Sequence, residues 1–414
     1  MPSPRSGSVL VVGAGIVGLT AAWQLAQRAW PVTLVDPALA PGMAPLDSGS
    51  AAALGVLMGR VFQRSSGRAW RLRRRSHELW NQWLPELERR GHRLPRRHGL
   101  LLLAADQAEL ERQNRIADDR RRLAIPLRQL GPDALAALRP QLPGRPLGGL
   151  LSPEDGQLDP RAVIEALRQE ARRLGVRCLA DRVVALERQR PWRLQLASGE
   201  RLESDWVVLA LGLGTAPLLA SLGQALPLEP VLGQALELEL QEEPGWNWPG
   251  AVVWRGINLV PRPDLNGAGR RLWLGATLEP GTRATTTALE ELRQLGGEAP
   301  AWLRSARLVR QWQGLRCRPQ GRPAPVLEEL EPGLLVATGH HRNGVLLAPA
   351  TAAWLCSRVD CHTRTYNSPT GQLIAKGEQT ERIQRDGPGL ETTGGGSSHP
   401  APTAIQCSET GRRP

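Results

Sequence analysis

The run Gly13-Ala14-Gly15-Ile16-Val17-Gly18 limits what this chain can fold into more than any other stretch. It follows a β-branched segment at 8–12 and opens a helix-like segment at 19–28. Residues 31–36 read as a second strand, so 8–36 form one βαβ unit. Parallel strands need a crossover and covered faces, which places the chain in the α/β class. In such a turn Gly13 permits the tight bend, Gly15 lets a pyrophosphate approach the backbone, and Gly18 allows close helix–strand contact. The phosphates then rest on the amides at the helix N-terminus. Asp36 ends the second strand, where its carboxylate accepts from ribose hydroxyls and repels a 2′-phosphate. A dinucleotide without that phosphate is expected, NAD or FAD, and the turn alone does not separate them.

Composition narrows the classes. With 414 residues, 41% hydrophobic and 22% charged, fibrous and wholly disordered chains are excluded. The net charge of +12 comes almost entirely from arginine, because Lys376 is the sole lysine. Arginines alternate with glutamates along segments such as 162–173, and only 71–75 and 120–122 are dense clusters. That pattern fits a charge-dispersed soluble surface, so neither nucleic acid nor membrane is expected as a partner. The five cysteines form no CxxC pair, which fits a reducing cytoplasm and gives no metal site. The apolar run 9–26 contains Gly13, Gly15, Gly18 and Gln24, and reads as a buried strand turning into a helix rather than a signal peptide. Tyr366 is the only tyrosine, so no catalytic tyrosine is available in the folded body.

Further along, 69–90, 105–123 and 159–174 have helical patterns, and 183–187, 193–196 and 206–211 read as strands. Alternation between 231 and 274 suggests an antiparallel sheet. A short strand at 334–338 precedes a helix at 348–355, and 361–414 lack apolar periodicity and are expected to be a disordered tail. Two loops stand out. Residues 205–214 (DWVVLALGLG) form a strand ending in glycines, Gly212 among them, suited to return to a cofactor. Gly339-His340-His341-Arg342-Asn343-Gly344 joins a strand to a helix, with glycines that let the backbone approach a polar group.

The GxGxxG with Asp36, the SAAA loop at 50–53, Trp312-Gln313-Gly314-Leu315-Arg316, and GHHRNGVLLAPATA at 339–352 together resemble the glycine oxidases of thiamine biosynthesis, members of the D-amino-acid-oxidase superfamily of FAD flavoproteins. The resemblance covers residues 8–358 and implies FAD as cofactor. It implies that Ile16, Val17, Asp36 and Pro37 line the ADP half, and that Val183 meets the adenine through its backbone. Ser48, Gly49 and Ser50, then Ala53, Gly55 and Val56, would pass beneath the pyrophosphate and the isoalloxazine. His340, His341, Arg342, Asn343, Gly344, Val345 and Leu346 would wrap the ribityl chain and the ring. Arg316 would pair with the substrate carboxylate, with Arg342 beside it. An internal ion pair is the competing reading of Arg316.

Two departures from the family matter. Asn258 stands where these oxidases carry a tyrosine, leaving Trp254 or Trp273 to fill the aromatic wall. Cys317 follows Gly-Leu-Arg where proline is usual, and reads as a small buried thiol rather than a flavin attachment point. The implied architecture is an FAD-binding Rossmann-like domain (1–80, 150–215 and 310–360) with an antiparallel-sheet substrate domain (81–149 and 216–309). The implied reaction is oxidative deamination of glycine or another small amino acid, with oxygen as acceptor. The alternatives are an FAD dehydrogenase of D-amino or N-methyl amino acids with another acceptor, and a non-catalytic nucleotide-binding protein. A homo-oligomer is compatible with all three.

Overall fold

The computed structural model describes residues 7–40, 49–262 and 269–366. Val9–Val12 lies at the centre of a six-stranded sheet. It pairs in parallel with Val32–Val35 on one side and with Trp206–Leu209 on the other. Arg177–Leu179 extends one flank, and Leu334–Thr338 and Val326–Glu331 extend the other. All four residues of Val9–Val12 are buried, as a strand covered on both faces requires. The helix Ile16–Gln27 starts three residues earlier than expected, so Gly18 is inside it rather than before it. Ten of its twelve residues are buried, which explains why its sequence carries no amphipathic stripe.

With one phenylalanine and one tyrosine in the chain, tryptophan supplies the aromatic core. Trp23 of this first helix meets Trp83 of the helix Gly67–Arg89 edge-to-face at 5.3 Å. Trp80 of that second helix reaches further. Pro349 sits inside the last helix, Gly344–Tyr366, and has no N–H to offer the carbonyl of Val345 four residues back. The Trp80 indole N–H donates to that carbonyl instead, at 3.1 Å. This helix begins four residues earlier than the sequence pattern indicates, inside the Gly339–Gly344 loop.

A second sheet holds ten strands among the described residues. Leu228–Glu239 pairs antiparallel with Arg271–Gly275 and with Arg307–Pro319, as the alternation at 231–274 indicates, while Ala251–Trp254 pairs in parallel with Arg96–Ala104. Register assigns the faces. Leu236, Leu238, Leu259, Leu272 and Leu274 share one face and form a leucine core with Trp248 and Trp254. The opposite face carries Gly233, Ala235, Asn258, Trp273, Gly275, Trp312 and Arg316. A three-stranded antiparallel sheet, Val183–Glu187 with Trp192–Leu196 and Arg201–Ser204, completes the α/β architecture. The expected domain boundaries near 150 and 310 fall within the continuous strands Gly148–Leu158 and Arg307–Pro319, both part of the large sheet. Ser48 and residues 367–414 of the expected tail lie outside the described residues, while 361–366 continue the last helix. Among the described residues no helix is long and apolar enough to cross a membrane, and no cluster of three metal-ligating side chains occurs.

Gly18 packs so tightly that a Cβ there would overlap the Gly13 carbonyl oxygen. A backbone atom in the first turn cannot move aside, so Gly18→Ala should destabilise the protein by about 2–3 kcal/mol. Urea melts of both proteins measure this, and equal midpoints would refute it.

Candidate functional site

The glycine turn is held by side chains on both flanks. Gly13 has φ +107°, and a Cβ on it would lie 2.6 Å from the carbonyl oxygen of Ala210. Asp36 accepts from the Ala14 and Ala38 N–H groups, each at 2.7 Å. Sequence reasoning assigned this carboxylate to the ribose alone, whereas it also clamps the turn; each oxygen keeps a lone pair for a ribose hydroxyl. Pro37 opens the short 3₁₀ turn that Asp36 caps. The Ser50 hydroxyl accepts from the Ile16 N–H at 3.1 Å and ties the 49–56 loop to the helix. Around Gly15, among the described residues, the only atom that a Cβ would meet is Ser50 Oγ, at 3.2 Å. The N-cap residue Gly15 has no side chain to cap the helix, and the first turn, where Val17 sits, has no acidic residue. Apart from the bond from Ile16 to Ser50, an open glycine before this helix N-terminus is a cradle that fits a dinucleotide pyrophosphate. Val183 is buried with Val12 and Val35 in one apolar cluster, at the ends of the first two strands.

The strand Arg307–Pro319 gathers the other loops. Gly49 passes close to it, where a Cβ would come within 2.8 Å of the Leu315 carbonyl oxygen. The Trp312 indole donates to Ala52 at 3.0 Å, and Ala53 turns back on Ser50. Gly55 has φ +75° and docks on Leu158, next to Val56, which pairs with Gln157. From the far side, the His341 N–H donates to the Cys317 carbonyl at 3.0 Å. Gly212 is fixed by the Thr338 hydroxyl, which donates to its carbonyl at 2.9 Å. Asn343 starts the last helix by accepting from Leu347 at 2.8 Å, and Gly344, Val345 and Leu346 form its first turn. The 49–56 and 339–344 loops therefore meet on the strand Arg307–Pro319, while Gly212 is held by Leu334–Thr338.

Charge at this junction is one-sided. The Arg316 guanidinium donates from Nη1 to the carbonyls of Leu232 and Thr277, both at 3.0 Å. Among the described residues no carboxylate lies within ion-pair distance of it. Burial, then the nearby charge of Arg342, lowers its pKa to about 10, against the attraction of Glu279. His341, at φ +52°, is held at about 4 by burial and by Arg316, Arg342 and Arg318, so it is neutral near pH 7. Its Nε2 is buried and has no hydrogen-bond partner. A desolvated guanidinium with a second one close by, and no counter-ion among the described residues, has the chemistry to receive an anion.

Several expected residues lie elsewhere or act differently. The His340 ring is buried away from this junction, 3.0 Å from the Thr351 hydroxyl, so only its backbone is available to a ligand. Asn258 shares the face with Arg316 but donates to the Gly275 carbonyl at 3.1 Å. Trp254 belongs to the leucine core, whereas Trp273 lies on the site face, 5.3 Å from Trp312. Burial raises the pKa of Cys317, whose sulfur lies 3.8 Å from the Thr338 hydroxyl. Sequence reasoning missed Gly233 and Thr277. A Cβ on Gly233 would overlap the Arg316 guanidinium, and a glycine inside a strand is a signal of such close approach. Thr277 acts through its carbonyl, which no side-chain pattern reveals.

Comparison with known proteins agrees with this geometry. The family model described as FAD dependent oxidoreductase matches residues 8–358. The chain is 27% identical over 367 residues to the glycine oxidase of Geobacillus kaustophilus, covering 85% of this chain and 92% of that protein. It is 36% identical over 169 residues to the glycine oxidase of Pseudomonas putida, covering 40% of this chain and 44% of that one. The bifunctional protein ThiO/ThiG of a Synechocystis species is 29% identical over 359 residues, covering 84% of this chain but only 51% of that protein. The crystal structure of the Geobacillus glycine oxidase superposes with a TM-score of 0.76 at 27% identity, over 86% of this chain and 94% of that one.

Two predictions follow from the packing and charge. Burial, then the charge of Arg68, holds the His340 pKa at about 4, so the unfolded chain binds the extra proton between pH 6.5 and 4. Stability should fall as pH drops through that window, by at most about 3 kcal/mol from this group. His340→Gln should flatten the slope in denaturant melts at pH 7, 5.5 and 4.5, and an unchanged slope would refute the assignment. Gly233→Ala should displace a flexible side chain rather than backbone, leaving melting temperature nearly unchanged while carboxylate affinity drops about tenfold. A wild-type affinity in that variant would show that Arg316 does not bind there.

Proposed function

The chain belongs to the FAD-dependent oxidoreductase family, and from that premise we propose that this enzyme oxidises the amine of glycine or another small amino acid, giving an imine that hydrolyses to a 2-oxo acid and ammonia. The observation that carries the reading is Arg316. An amino-acid carboxylate entering a desolvated site needs a permanent, planar, bidentate donor. Arg316 has its Nη1 oriented by two carbonyls and no described carboxylate to neutralise it. Arg342 adds a second charge at the more exposed rim.

FAD, when bound, supplies the two-electron acceptor. The residues that would hold it are the Gly13–Gly18 turn, Asp36, Ser50, and the backbone of the 49–56 and 339–346 loops. The protein's remaining work is positional, and Arg316 fixes the carboxylate so that the α-carbon faces the flavin. The same positive charges disfavour the ammonium form of the substrate, and so favour the neutral amine whose lone pair assists loss of the α-hydrogen. His341, neutral near pH 7, neither competes for the carboxylate nor repels the amine. Trp273 and Trp312 offer an apolar wall on the sheet face.

Oxygen as acceptor, hydrogen peroxide as co-product and a supply of imine for thiazole synthesis are further parts of the proposal. Their support is the likeness to glycine oxidases and to a ThiO/ThiG protein. Mixing the protein anaerobically with glycine should bleach the flavin spectrum, and admitting air should restore it. Bleaching without reoxidation by air would favour a dehydrogenase, and no bleaching with any small amino acid would overturn the reading. Complementation of a strain blocked in thiazole formation tests the pathway role.

Removing Arg316 should leave a buried carboxylate without its partner, at about 3–5 kcal/mol. That corresponds to roughly 150- to 5,000-fold in kcat/KM for Arg316→Ala, with flavin content unchanged. Arg316→Lys should recover little, because an ammonium is a point donor. Near-wild-type turnover of Arg316→Ala would move the clamp to Arg342.

A further inference from the structure

We propose that Glu279 is a positioning residue for substrate recognition, acting through the segment that orients Arg316; this rests on the carboxylate-clamp reading above. Arg316 donates to two carbonyls, those of Leu232 and Thr277. Residue 279 is tied to both. Its backbone pairs with Leu232 across the sheet, and its carboxylate accepts from the Thr277 hydroxyl at 2.5 Å. The same hydroxyl accepts from the Gln234 N–H at 2.8 Å, and the Thr277 N–H donates to the Gln234 carbonyl at 3.1 Å. Three more donors surround the carboxylate. They are Gln234 Nε2 at 2.9 Å, the Thr285 N–H at 3.0 Å and the Thr285 hydroxyl at 3.1 Å.

Every neighbour of Glu279 therefore points a proton at it, and only an acceptor-only group satisfies all of them. Burial acts to raise its pKa, but these hydrogen bonds outweigh it and hold the group below the usual carboxylate range. Among the described residues, Glu279 is the anion whose charge acts on Arg316. Its negative charge thus offsets part of the desolvation of the guanidinium without occupying the donors that a substrate needs. A glutamine there would set an amide proton against another donor, loosen the 277–285 segment and release one of the two carbonyls that orient Arg316.

The test compares FAD-loaded wild type with Glu279→Gln and with the milder pair Thr277→Val and Thr277→Ser. Acetate is the carboxylate probe, titrated by calorimetry, and glycine kinetics run alongside. Glu279→Gln and Thr277→Val should weaken acetate binding about tenfold and raise KM for glycine by the same factor. The kcat should stay within about threefold and flavin content should not change, while Thr277→Ser should behave as wild type. Unchanged acetate affinity in Thr277→Val overturns the proposal, and so does a loss of kcat and flavin content together in both variants, which marks a general folding role. If Glu279→Gln is insoluble, the Thr277 pair decides alone. A wild type that neither binds acetate nor oxidises any amino acid would overturn the clamp reading and this proposal with it. An active wild type with unaffected variants overturns this proposal only.

Discussion

The contact on which the rest depends is glycine against backbone where the first helix leaves the first strand. Gly18 sits on the Gly13 carbonyl, and Gly13 sits on the carbonyl of Ala210 from the neighbouring strand. No side chain fits in either gap, so the helix start and two strand ends lie within a few ångströms of one another. Asp36 and Ser50 then bond to the turn from opposite sides, at Ala14 and Ile16. A helix end is a weak, partial charge. It can serve a bound pyrophosphate because its N-cap is a glycine with no capping side chain of its own.

The second constraint is electrostatic. A guanidinium taken out of water without a counter-ion is costly to keep, and proteins usually pair it. Here burial drives the Arg316 pKa down to about 10, and the charge of Arg342 pushes the same way. The chain tolerates this with two carbonyl acceptors and a hydrogen-bonded glutamate at one remove, leaving the remaining donors for an incoming carboxylate. His341 escapes the conflict by staying neutral beside these charges. In the proposed role, an incoming carboxylate would relieve this strained charge balance.

Tryptophan does two jobs in a chain nearly devoid of other aromatics. Trp23, Trp80 and Trp83 pack the first two long helices, and the Trp80 indole also satisfies the carbonyl that Pro349 leaves without a donor. Trp312 ties the Ala52 carbonyl to the strand that carries Arg316. These contacts link the cofactor loops to the helical core, so that loop position is set by buried side chains rather than by the loops themselves.

Local signals were enough for the βαβ opening and the antiparallel run after residue 231, whereas Arg316 was singled out by the family resemblance and its clamp role is a proposal. Glycine spacing, β-branched runs and alternation are written in consecutive residues, because strand and helix periodicities are local properties. Two kinds of information were not local. Which way a side chain turns depends on what the opposite strand offers: His340 turned inward to Thr351, and Trp254 fell on the core face while Trp273 fell on the site face. The roles of carbonyl oxygens were equally hidden, since every residue has one; the register of Leu228–Glu239 against Arg307–Pro319 brings that of Leu232 to Arg316, and the bonds between Thr277 and Gln234 bring that of Thr277. By itself the sequence determined which groups could carry the chemistry. The tertiary structure decided which of them meet, because strand register and burial act between residues far apart in the chain.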